Sequence, residues 1–151
     1  MTRAHVDRLR DLMFTERTRG WLPLVLRVVS GVVFVSVSMG KFFDHASEAH
    51  DFDRYGVPIP ATAVIVVGIV ELVGGVSLVA GLGTRVASAL LAGNMVGAIA
   101  TAGRVEGGAF NLVLAPLLLV SMLVLLWAGP GAWSVDRVVA RRLLERRPSS
   151  A

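Results

Sequence analysis

Cysteine is absent from this 151-residue chain. Disulfides, thiol catalysis and iron–sulfur ligation by its own side chains are therefore excluded. Lysine is almost absent: Lys41 stands alone against fourteen arginines. A cleavable secretory signal is not expected, because a mixed-charge segment precedes the first apolar run. Familiar metal-ligand spacing is missing too. Asp44, His45, Glu48, His50, Asp51 and Asp53 crowd one connection, but they read as a solvated loop with a short amphipathic helix, and no metal is assigned.

What is present is apolar. Hydrophobic residues make up 54% of the chain and the mean hydropathy is +0.69. Such a composition suits a polytopic membrane protein better than a soluble domain. The net charge of +4 comes from arginines gathered at the two ends, five before residue 21 and five after residue 136. On an apolar chain that is a topology signal, so nucleic acid is not a partner.

Four runs are each long enough to cross a bilayer, at about 22–39, 61–82, 86–102 and 110–127. The expected fold is an all-α membrane protein, a four-transmembrane-helix bundle over 21–129. A cytoplasmic N-terminal tail (1–20) precedes it and a cytoplasmic C-terminal tail (130–151) follows. An even number of spans puts both termini on one side, and the arginine bias makes that side the cytoplasm. The C-terminal tail reads as an interfacial amphipathic helix with a frayed end. The N-terminal tail reads equally as such a helix or as a disordered segment. Pro116, inside the fourth run, is tolerable where neighbouring helices resupply hydrogen bonds.

The anomaly is Glu71, near the middle of the second run. An ionised carboxylate at mid-membrane costs about 2.5–3.5 kcal/mol. Gly68, Glu71 and Gly75 share a helical face, so Glu71 points toward other helices. In the first run, Arg27, Ser30, Gly31, Phe34, Ser38 and Lys41 fall on one stripe. Ala89, Gly93, Gly97 and Thr101 repeat every four residues in the third. Gly31, Gly68, Gly75, Gly93 and Gly97 are the expected helix-packing positions.

Counted along the four runs at 1.5 Å per residue, Arg27 lies roughly 7 Å from the cytoplasmic end, Ser121 roughly 9 Å, Asn94 roughly 12 Å and Glu71 roughly 13 Å. The expectation is a buried polar layer in which Arg27 pairs with Glu71, with Asn94 and Ser121 completing the hydrogen bonds. Such a layer either binds a quinone headgroup, a small anion or a proton, or only fixes helix packing.

A set of motifs runs through the chain in order: Arg27 with Gly31 and Phe34; Gly40-Lys41-Phe42; Gly56-x-Pro58-x-Pro60; and Gly68-x-x-Glu71-x-x-Gly74-Gly75. Then come Gly81-Leu82-x-Thr84-Arg85, Gly129-Pro130-Gly131 and Ser134-x-Asp136-Arg137. In this order they resemble the DoxX family of small four-span bacterial membrane proteins. Many relatives carry an acidic residue where this chain has Gly107-Gly108-Ala109. The resemblance implies a multi-pass protein of the bacterial plasma membrane, working as a membrane subunit of a redox-linked, quinone-associated complex. It implies no intrinsic cofactor, with quinone as the group such a subunit would hold, and no self-contained catalytic site. Two alternatives stand beside it. One is a non-catalytic scaffold or accessory subunit stabilising a larger assembly. The other is a small-solute or proton pathway through the Arg27–Glu71 layer. The implied partners are lipid and either other proteins of a membrane complex or further copies of the chain.

Overall fold

The computed structural model describes residues 21–108, 110–131 and 134–136. The expected tail helices lie outside these residues. The described part is helical. Helix α1 is Trp21–Phe43, α2 is His45–Arg54, α3 is Pro60–Ala80, α4 is Thr84–Ala100 and α5 is the short Ala102–Val105. A π-helical turn, Phe110–Leu114, leads into α6, Ala115–Ala128. Among the described residues, four segments are long and apolar enough to span a membrane: 21–43, 60–80, 84–105 and 111–128.

Antiparallel pairing organises the bundle. α1 packs mainly on α3, and α4 mainly on α6. The α1–α3 contact is close because glycines face each other across it. A Cβ on Gly31 would lie 2.8 Å from the Gly75 carbonyl oxygen, and a Cβ on Gly75 would lie 2.8 Å from the Gly31 oxygen. Gly74 receives Leu91 of α4, whose Cγ would sit 2.9 Å from a Cβ there. Small residues thus substitute for the missing hydrophobic drive between helices in lipid. Phe34, Leu78, Leu91, Met122 and Leu125 fill the centre and are essentially inaccessible. Large apolar side chains such as Val29, Val32, Ile65, Val73, Leu90, Leu117 and Val120 point outward. An apolar girdle on every spanning helix is what lipid requires and water would penalise.

Two sequence expectations shift. α1 runs on to Phe43 instead of ending near residue 39, so Lys41 is inside the helix and buried. Pro116 falls in the first turn of α6, directly after the π turn. A proline ring meets the carbonyl four residues back, and the widened turn accommodates it there.

Candidate functional site

The register of α1 on α3 decides which cation reaches Glu71. Gly81 lies against Arg27, Gly75 against Gly31 and Gly68 against Lys41. Glu71 is ten residues from Gly81 and three from Gly68. Along a helix these separations are about 15 Å and about 4.5 Å. Lys41 is therefore the partner: its Nζ lies 2.9 Å from Glu71 Oε2, with both side chains buried. The ammonium approaches outside hydrogen-bond angles, so the contact is an ion pair. Asn94 Nδ2 donates to Glu71 Oε1 at 2.9 Å.

The expected Arg27–Glu71 pair is not formed. The sequence count aligned the start of the first run with the end of the second. The helices are instead offset, and Arg27 sits level with the Gly81 turn. Arg27 Nη1 donates to the Pro130 carbonyl at 2.6 Å. Ser121 does not join Glu71 either; its Oγ donates to the Leu117 carbonyl one turn back, at 2.9 Å. Of the five packing glycines, Gly31, Gly68 and Gly75 meet neighbouring helices. Gly93 and Gly97 are exposed, and a Cβ on either would touch nothing within 4 Å. α4 turns its larger stripe inward (Ala87, Leu91, Met95), because those residues fill the core and glycines cannot.

Arg27 belongs to a separate knot at the tail-side end. Asp136 Oδ1 accepts from the Gly83 amide at 2.7 Å and Oδ2 from the Thr84 amide at 3.0 Å. The Asp136 amide donates to the Gly81 carbonyl at 3.0 Å. Asp136 thus caps α4, whose own cap position, Gly83, has no side chain to do so. The Gly81 turn, the Gly129–Gly131 segment and Ser134-x-Asp136 are one structural lock.

The Lys41–Glu71–Asn94 cluster instead opens on a cavity of about 720 Å³. Its volume is in the range of small-molecule sites. Apolar side chains, among them Val37, Val67, Met95 and Ala98, line much of it. Phe52 and Tyr55 cover it from α2 and the turn that follows, with ring centroids 6.2 Å apart. Asn111, from the π turn, is 7% exposed and faces the same space. Among the described residues its side-chain amide makes no hydrogen bond, so donor and acceptor are both available. Glu48, Asp51 and Glu106 stand around the cavity away from the tails.

Burial raises the Glu48 carboxyl above its ordinary 4.5; Lys41 opposes that shift, and Glu71, Asp51 and Asp44 add to it. Tyr55 is pushed up by burial and by its hydrogen bond to Glu106. Arg54 Nη1 holds Asp51 at 3.2 Å and Glu106 at 3.6 Å, tying α2 to the loop before the π turn.

Three of these residues escaped sequence reasoning as parts of a site. Lys41 lies on the Arg27 stripe, but the stripe does not say which carboxylate it meets. Asn111 stands at the very start of the fourth run. Tyr55 follows the acidic connection that reads as a solvated loop. The usable signal for Lys41 was its place on the stripe, fourteen residues from Arg27.

Comparison with known proteins agrees with this architecture. The family model described as DoxX matches residues 22–104. An uncharacterized membrane protein of Mycobacterium tuberculosis, Rv3486, is 34% identical over 134 residues, covering 79% of this chain and 82% of its own. A Bacillus subtilis protein called putative oxidoreductase CatD is 35% identical over 78 residues, 52% of this chain and 57% of that one. No solved structure matches.

Proposed function

This chain belongs to the DoxX family of membrane proteins, and from that premise we propose that it is a membrane subunit of a redox-linked complex, holding a quinone headgroup in the cavity between α1, α3 and α4. The observation that carries the reading is the pairing of an apolar cavity with the free Asn111 amide and the buried Glu71 carboxylate. A few convergent polar groups in an apolar pocket suit a ligand that is mostly hydrocarbon with a polar head. Asn111 Nδ2 is a donor for a quinone carbonyl. Glu71 is an acceptor for a quinol hydroxyl, and Lys41 and Asn94 hold it in place. A quinone would supply a two-electron, two-proton carrier; this chain supplies binding and a fixed carboxylate. The name of the Bacillus subtilis relative supports redox work. The carboxylates around the cavity disfavour an anion such as thiosulfate. The arginine bias of the two tails supports cytoplasmic termini in a bacterial plasma membrane, and with that orientation the cavity is in the outer half.

The test is purification in mild detergent, with quinone extracted from the protein and co-purifying proteins identified. Near-stoichiometric quinone that Asn111→Leu removes, at unchanged yield of folded protein, supports the site. Quinone no higher than in bulk membrane lipid refutes it.

One observation favours a second reading, a scaffold or accessory subunit. Ala89 and Gly93 are exposed small residues on α4, in line with Gly97 at the cavity's edge, and such a surface is the kind on which another transmembrane helix packs. The cysteine-free chain allows a clean check. Gly93→Cys should cross-link to a partner or a second copy, whereas Val73→Cys on an exposed face of α3 should not.

A further inference from the structure

The charge around the cavity suggests a ligand class that the quinone reading does not need. Four carboxylates line it, Glu48, Asp51, Glu71 and Glu106, against one cation, Lys41. The buried Lys41–Glu71 pair cancels internally. Arg54, half-exposed, offsets part of Asp51 and Glu106 from outside. Counting Arg54, two cations face four carboxylates, a formal balance of −2. A concave, low-dielectric space with one sign of charge concentrates the opposite sign.

Three further features point to an organic cation and not to a metal ion. The first is size: about 720 Å³ far exceeds a coordinated ion. Among the described residues no cluster of three or more ligating side chains is arranged for a metal. The second is the aromatic pair Phe52 and Tyr55, whose rings, inclined at 45°, line the space. Ring faces attract ammonium-type cations, most strongly where water is scarce. The third is Asn111, buried, facing in and available as an acceptor. The apolar walls then match the hydrocarbon part of such a ligand.

We infer that the cavity is a binding site for lipophilic organic cations, with Phe52 and Tyr55 as the ring faces and Glu48, Asp51 and Glu106 as the attracting carboxylates. The inference rests on the cavity alone and stands whether or not quinone binds there.

The test uses two probes of the same shape and opposite charge, tetraphenylphosphonium and tetraphenylborate. Each is titrated by equilibrium dialysis into the full-length protein in nanodiscs of zwitterionic lipid, with empty nanodiscs as the partition baseline. The expected result is saturable one-to-one binding of the phosphonium and none of the borate above baseline. Glu48→Gln/Glu106→Gln should weaken phosphonium binding at least tenfold, and Phe52→Leu several-fold. Equal binding of the two probes, or no saturable phosphonium binding, overturns the inference. So does phosphonium binding indifferent to the carboxylates in folded protein. Should the double variant not fold, Asp51→Asn, at a half-exposed position, takes its place under the same criterion. A protein that retains no quinone yet binds the phosphonium refutes only the quinone reading. Quinone retained on purification, with no phosphonium bound after that quinone has been stripped, refutes only this one.

Discussion

Two buried cations lie on one stripe of α1, fourteen residues apart, and they end in opposite kinds of surroundings. Arg27 is packed into a lock of backbone: the Pro130 carbonyl, the Gly81 turn and the segment that carries Asp136. Lys41 is held by a carboxylate that also faces a cavity. The first arrangement joins chain segments. The second leaves a space beside a charge. Burial of an ionisable group inside a membrane protein is therefore not by itself evidence of a site; what distinguishes a site is the space its polar groups face.

A double-mutant cycle separates the two surroundings. Lys41→Met leaves Glu71 buried without its counter-charge, a loss of about 3–5 kcal/mol for a broken buried pair. Adding Glu71→Gln should recover more than half of it, because the uncompensated charge is gone. Arg27→Met should also destabilise, and Glu71→Gln should give it no recovery. Thermal unfolding in detergent of these variants, of Glu71→Gln alone and of the wild type closes both cycles. If Glu71→Gln rescues Arg27→Met as well, the two regions are one layer and the distinction fails.

A second contrast concerns glycine. Gly81 has φ +71, and a Cβ there would lie 2.5 Å from Arg27 Nη1. Gly81→Ala meets both penalties, a left-handed backbone costing about 1–2 kcal/mol and displacement of the guanidinium. Gly68, near the cavity, has ordinary helical geometry, and its nearest atoms would be at 3.2–3.4 Å, on the Phe42 ring and Lys41 Cβ. Gly68→Ala should cost less than Gly81→Ala. It should alter phosphonium binding, which Gly81→Ala leaves unchanged. Asp136→Ala, which removes the cap on α4, should cost about 1 kcal/mol and likewise spare binding.

These contrasts show where the sequence was legible. Hydropathy marked the four spans, because a bilayer demands about 20 apolar residues wherever the chain crosses. The Gly68–Gly75 stretch marked the close face of α3, because only small residues permit that approach. The partner of Glu71 was not legible. Depth along a single helix is countable, but the offset between two helices is set by side-chain interdigitation, here Gly31 against Gly75 and Leu91 against Gly74. An offset of a few residues moved Arg27 out of reach and brought Lys41 in. The exposure of Gly93 and Gly97 was hidden for a similar reason: a small-residue ridge and a Leu/Met stripe compete for the core, and periodicity alone does not say which turns inward. The cavity could not be read at all, since it is assembled from α1, α2, α3, α4 and the π turn.

The smallest effect concerns pH, and it belongs to the cavity region. Glu48 holds its proton more tightly in the folded protein than its ordinary 4.5. As pH rises above 4.5 the unfolded chain loses this proton first. The folded state then binds more protons, so stability falls with pH until the raised value is passed and is flat beyond it. Glu48→Gln should remove that slope and leave the protein slightly more stable at neutral pH relative to acid. The partial exposure of Glu48 keeps the change small. Ligand binding should run the opposite way. Ionised Glu48 attracts a cation and protonated Glu48 does not, so phosphonium affinity should rise with pH through the same window. Glu48→Gln should flatten that rise while leaving the part contributed by Asp51 and Glu106. A wild-type affinity that is constant across the window would mean Glu48 does not face the ligand, and the attracting charge would have to come from the other two carboxylates alone.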